Sequence, residues 1–152
     1  MRLKNLEKLQ RELLLPPLLA ELIASGRWTH PGDDVLLKAV PFITDPLVFH
    51  HSKKEMLQKS GPLMGPGRIE SEGHSEYRGS AIGERDLPWL DVEKSLYIIA
   101  NKNIGGDVGI VLDYRPEVEP RVVGGDWHSG HGIIYREISP TFDAFAELIG
   151  LI

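Results

Sequence analysis

The stretch from Leu96 to Glu137 constrains this chain more than any other, because short apolar segments of strand length follow one another there with turn residues between them. Leu96 to Ala100 is an apolar run of strand length, and Asn101-Lys102-Asn103 with Gly105-Gly106 supplies turn chemistry behind it. In the next segment Val108, Ile110, Leu112 and Tyr114 share one face while Val111, Asp113 and Arg115 share the other, so one face is expected in the core. Pro116 and Pro120 bracket a turn, and Arg121-Val122-Val123 reads as a third strand. Gly124-Gly125-Asp126-Trp127 then marks the end of that strand or a bulge in it, and Ile133 to Glu137 is a fourth strand. Ser139-Pro140 reads as a helix start, with Ser139 as the cap and Pro140 at the first helical position. Phe142, Phe145, Ala146, Leu148 and Ile149 form the stripe behind it. The expectation is an antiparallel meander closed by a carboxy-terminal helix.

The amino-terminal third has a helical period instead. Leu3, Leu6, Leu9 and Leu13 recur between charged residues, predicting an amphipathic helix over residues 3–14 that Pro16 ends. Pro17 opens a second helix with Leu18, Leu19, Leu22 and Ile23 as its stripe, and Gly26 stands where a left-handed C-cap belongs. Val35 to Val40 reads as a short helix capped by Asp33 or Asp34, and Ser52 to Lys59 as another. Residues 60–86 are rich in Gly, Ser, Glu and Pro and read as a long irregular segment, with short strands near Ile69 and Tyr77 as the other reading. No internal repeat and no second hydrophobic core divides the chain, so residues 1–152 are expected to form a single domain. The fold class is α+β: a twisted antiparallel sheet flanked by helices.

Composition narrows the functions. The 152 residues contain 41% hydrophobic residues and no cysteine, which removes disulfide frameworks, thiolate metal sites and cysteine nucleophiles. A chain of this length buries roughly 68–70% of its unfolded surface, enough for a core without staples. The 16 glycines and 11 prolines exclude a helical bundle with short loops. No apolar run approaches the ~18–20 residues that cross a bilayer, and the charged amino terminus lacks a signal-peptide core, so the expected location is cytoplasmic, away from membranes. Residues 1–60 carry nine Lys+Arg and seven Asp+Glu, residues 61–100 four and seven, residues 101–152 four and eight. The net charge of −5 thus lies in the later part, which disfavours nucleic acid and favours a basic partner; an ordinary solvated acidic surface accounts for the same charges.

The carboxy-terminal third resembles the SUKH superfamily, which includes fungal cell-wall-assembly regulators and many bacterial immunity proteins. The resemblance lies in the order Leu96-Tyr97-Ile98-Ile99-Ala100, the Gly106-Asp107 turn into Val108–Asp113, a strand led by Pro120, and the terminal Ile138-Ser139-Pro140-Thr141-Phe142-Asp143-Ala144-Phe145. It implies an α+β domain with helices on one side of the sheet. It also implies a non-enzymatic binding protein that occupies a toxin domain, and many such toxins are nucleases with basic clefts. A regulatory or scaffold module binding another cytoplasmic protein is the second reading.

Catalytic constellations are thin. Asp107, Asp113, Asp126, His128 and His131 supply the residue types of a metal-assisted hydrolase, the third reading, but spacings of two and three on a glycine-rich loop fix no ligand direction. Ser129, His131 and Asp126 lack the nucleophile-elbow context of a triad, and Gly61 to Gly67 lacks the ending of a phosphate-binding loop. His50-His51 diverge as neighbours, predicting a partly buried pair beside Phe49. No catalytic residue, metal ligand or cofactor is assigned. Trp28, Trp89 and Trp127 lie near element ends, where a ring plugs a core edge or anchors a partner. The residues expected to meet a protein partner are Asp113, Arg115, Asp126, Trp127 and His128, with Asp113 and Arg115 also forming a same-face pair of little energetic weight if exposed.

Overall fold

The computed structural model describes residues 12–60, 87, 90, 94–101, 109–126 and 134–152. Among them are four helices, α1 (Pro17–Ala24), α2 (Asp33–Ala39), α3 (Lys53–Lys59) and α4 (Phe142–Leu148). Five strands, β1 (Leu47–Phe49), β2 (Ser95–Asn101), β3 (Gly109–Asp113), β4 (Arg121–Asp126) and β5 (Ile134–Ser139), form one antiparallel sheet in the order β1-β2-β3-β4-β5. The expected α+β architecture is present, with helices leading into a meander and one helix following it. No helix among the described residues is long and apolar enough to cross a membrane.

Local chemistry accounts for the helix ends. Pro17 occupies the first turn of α1, where its missing N–H is not needed, and Gly26 follows the helix at φ 75°. That left-handed turn lets the Arg27 N–H reach the Leu22 carbonyl at 2.8 Å. In α2 the cap is Gly32, at φ 114°, and not either aspartate. Asp33 and Asp34 sit inside the first turn, where their charge favours the helix dipole, and Asp33 faces His30 Nε2 at 3.3 Å. Ser52 caps α3 by accepting from the Glu55 N–H. The closing helix begins later than expected: Ser139 ends β5, and Thr141 caps α4 by accepting from the Ala144 N–H at 3.1 Å. Of the helix predicted over residues 3–14, the described Glu12, Leu13 and Leu14 are turn and irregular chain.

The sheet buries both faces, where alternation alone predicts one. Leu96, Ile98, Ile110, Leu112 and Val122 pack with Leu19, Leu22, Leu36, Met56, Phe142 and Phe145, so all four helices gather on this side. Tyr97, Val111, Val123 and Tyr135 form a second layer with Leu90 and Leu87 on the opposite face, and the two tyrosine hydroxyls hydrogen-bond to each other there. A bulge reconciles the two layers with the sequence. Tyr97 pairs with Val111 and Ile99 with Ile110, so Ile98 is the extra residue, and both isoleucines enter the helix-side core. β4 does not stop at Gly124-Gly125; it runs to Asp126, with its register shift at Val122/Val123. Gly124 is needed there because a Cβ would lie 2.9 Å from the Phe42 ring, which itself carries the Arg136 guanidinium at 4.9 Å.

Strand β1 lies outside the sequence reading, and its three residues cover only the end of β2. Beyond it, Ser60 takes over: its hydroxyl donates to the Met56 carbonyl and accepts from the Tyr97 N–H at 2.9 Å, so the end of α3 satisfies a strand amide. Trp28 plugs the core, with its indole N–H on the His50 carbonyl at 2.8 Å and its ring 4.5 Å from Phe49. Of the histidine pair, His50 is buried with Nδ1 3.1 Å from Glu55, while His51 is exposed.

Candidate functional site

A cleft of about 590 Å³ opens between the irregular chain Glu12 to Pro16, with Pro17 at the start of α1, and the irregular chain Tyr114 to Pro120 between β3 and β4, with Lys94 at its end. Prolines shape both walls: Pro16 and Pro17 on one, Pro116 and Pro120 on the other. Apart from Pro17, neither wall is strand or helix, so their positions depend on specific bonds. The Tyr114 N–H donates to the Lys94 carbonyl at 2.8 Å, anchoring the second wall to β2. The Tyr114 hydroxyl donates to the Leu14 carbonyl at 2.7 Å and ties the walls together. Burial raises the Tyr114 phenol well above its ordinary value of 10.0, so it stays a neutral donor.

Asp113 sets the loop's footing. It pairs with Arg121 across β3 and β4, so the two residues are the posts between which residues 114–120 hang. One carboxylate oxygen accepts from the Arg115 N–H at 3.1 Å and from Arg115 Nε at 2.9 Å; the other accepts from Arg115 Nη2 and Arg121 Nε, both at 2.8 Å. Asp113 is 1% exposed. Burial pushes its carboxyl upward, but the hydrogen bonds from Arg115 and Arg121 and the Arg115 charge outweigh that, leaving it below the usual 3.8. Arg121 also lies 3.9 Å from Glu137, so two arginines and two carboxylates balance locally.

Asp113 and Arg115 thus form the same-face pair that the sequence suggests, but Asp113 is buried, so the condition of exposure does not hold and the carboxylate expected to meet a partner is turned inward. Their fork-shaped bonding is internal, and the Asp113 carboxylate has no oxygen facing a partner. Asp126 ends β4, and Trp127 and His128 lie outside the described residues, as do Asp107, His131, Trp89 and the segment 61–86. Among the described residues no group of three or more His, Asp or Glu is placed to hold a metal ion. Asp113 and Arg115 flank the cleft residue Tyr114 in the chain, but neither lines the cleft.

The surface of the cleft belongs to residues that periodicity passes over. Val118 is 95% exposed and Leu14 77% exposed, flanked by the exposed Glu117 and Glu119. The available signal was Pro116-Glu117-Val118-Glu119-Pro120, where a lone apolar residue between carboxylates has no core stripe to join.

Comparisons with protein families, with curated proteins and with solved structures return no match for this chain.

Proposed function

We propose that this chain is a non-enzymatic protein-binding domain that takes a basic partner, in the manner of the SUKH-like immunity proteins it resembles, and neutralises a toxin by occupying it in the cytoplasm. The observation that carries the reading is the cleft with Val118 and Leu14 open to solvent beside Glu117 and Glu119. Apolar side chains displayed beside carboxylates suit a surface that is desolvated by a partner and that steers a cation toward it. The sequence charge, concentrated after residue 61, has the same sign. Under this reading Asp113, Arg115 and Arg121 hold the cleft in shape, and the chemistry of inhibition is occlusion, which needs no cofactor.

The test is capture from the native host on the immobilised full chain, identification by mass spectrometry, and binding kinetics with the purified protein. The expected partner is basic, binds at one to one, loses its activity in the complex, and associates more slowly as salt is added. A partner whose activity is unchanged in the complex would replace neutralisation with a scaffold role, and salt-insensitive association would remove the electrostatic part.

A further inference from the structure

We infer that the element received by the cleft is a short linear segment carrying apolar side chains next to Lys or Arg, and not the folded face of a partner domain. This rests on the protein-binding reading and specifies its ligand.

Size is the first argument. A volume of about 590 Å³ falls within the roughly 300–1,000 Å³ of sites that enclose a drug-sized body. The cleft on its own has room for a few side chains, whereas each side of an interface between folded domains contributes roughly 800 Å² and 20–30 residues. A few side chains projecting from one strand or turn of peptide fill the space.

Hydrogen-bonding balance is the second. Pro16, Pro17, Pro116 and Pro120 contribute no N–H, and Glu117 and Glu119 are acceptors only. The Tyr114 hydroxyl directs its proton to Leu14, and Lys94 is the one cation of the described lining. Among its side chains the lining is therefore richer in acceptors than in donors, and its charge is mostly negative. A ligand that brings donors and positive charge finds partners, whereas an anionic one meets carboxylates. The apolar surfaces of Leu14, Val118 and the prolines then take the aliphatic part of the segment.

The experiment measures fluorescence anisotropy of labelled octapeptides with the full chain. One peptide interleaves leucine with lysine, a second replaces the lysines by glutamate, and a third replaces the leucines by serine. Wild-type protein is expected to bind the leucine–lysine peptide at least tenfold more tightly than either control. Val118→Ser, which removes an apolar side chain already in solvent and so spares the core, is expected to weaken that peptide severalfold. The double variant Glu117→Lys and Glu119→Lys is expected to reverse the preference between the lysine and glutamate peptides. Equal affinity for all three peptides, or no change on either variant, overturns the inference. A host partner bound equally by wild type and Val118→Ser sinks the cleft assignment while the protein-binding reading stands; a chain that takes neither peptide nor partner sinks both.

Discussion

Tyr114 and Leu14, 100 positions apart in sequence, are joined by a 2.7 Å hydrogen bond from the phenol to the main-chain carbonyl. That bond closes the cleft between two walls of mostly irregular chain. Replacing Tyr114 with Phe keeps the ring and removes the strut. The expected loss is about 1 kcal/mol of stability, typical of one hydrogen bond, measured by denaturant unfolding. Amide exchange at Leu14 and Leu15 should quicken more than in the core strands. A second signature is alkaline: the raised phenol contributes stability that is complete below pH 10 and is lost as pH rises from there toward the folded value. Wild type should therefore lose stability above pH 10 more steeply than Tyr114→Phe, and parallel profiles would contradict the assignment.

Asp113→Asn should destabilise the fold by about 3 kcal/mol, because it leaves Arg115 and Arg121 facing a neutral amide in a nearly closed site. The pH dependence has a definite sign. The folded carboxyl titrates below its ordinary 3.8, so its contribution is complete above about pH 4 and is lost as pH falls through the folded value. The gap between wild type and variant in urea midpoints should stay constant from pH 5 to 8 and shrink in acid. A gap that widens below pH 4 would mean the carboxylate is not held by the arginines.

Two glycines in the sheet should respond differently to alanine. At Gly109 a Cβ would collide with the Ile99 carbonyl oxygen, which belongs to the backbone of the neighbouring strand beside the bulge. At Gly124 it would meet the Phe42 ring and the end of Ile138 at 2.9–3.0 Å, and side chains can turn aside. Gly124→Ala should cost about 1–3 kcal/mol and Gly109→Ala about 3 kcal/mol or more. Combining Phe42→Leu with Gly124→Ala should recover part of the first loss and none of the second. The reverse ranking in thermal unfolding would show that the bulge yields more easily than the packed ring.

Ser60→Ala removes the hydroxyl that accepts from the Tyr97 N–H where β1 has run out. A buried amide left without that acceptor should cost about 1–3 kcal/mol. Hydrogen exchange at Tyr97 should rise while exchange at Val111, on the next strand, stays protected. Unchanged exchange at Tyr97 would place its amide on another acceptor.

The meander and its closing helix are legible in the sequence because the apolar run Leu96–Ala100, the alternation from Val108 to Arg115 and the stripe from Phe142 to Ile149 are strong signals with turn residues between them. The second buried face is not: alternation puts Tyr97 and Val111 opposite the helix-side core, but no period in the sequence reports that this face is covered, and the bulge at Ile98 adds Ile99 to the helix side. β1 is too short to show a pattern, and it forms because the outer side of β2 offers it a place. For the site, Asp113 and Arg115 were legible as a pair but not as a buried one. Arg121 is brought to them by strand register, which no local spacing reports. Leu14 and Val118 are 104 positions apart in the chain, so their juxtaposition follows from the closed fold alone.

A basic, apolar segment is the proposed occupant of the cleft between residues 12–17 and 114–120. Nuclear magnetic resonance titration of the isotope-labelled full chain with the leucine–lysine octapeptide tests it most directly. Saturable shifts are expected, confined to the amides of Leu14, Leu15, Lys94, Tyr114, Glu117, Val118 and Glu119 and absent with the leucine–glutamate peptide. Saturable shifts on β5 or α2 with the cleft amides unmoved, or no shifts at millimolar peptide, would contradict it.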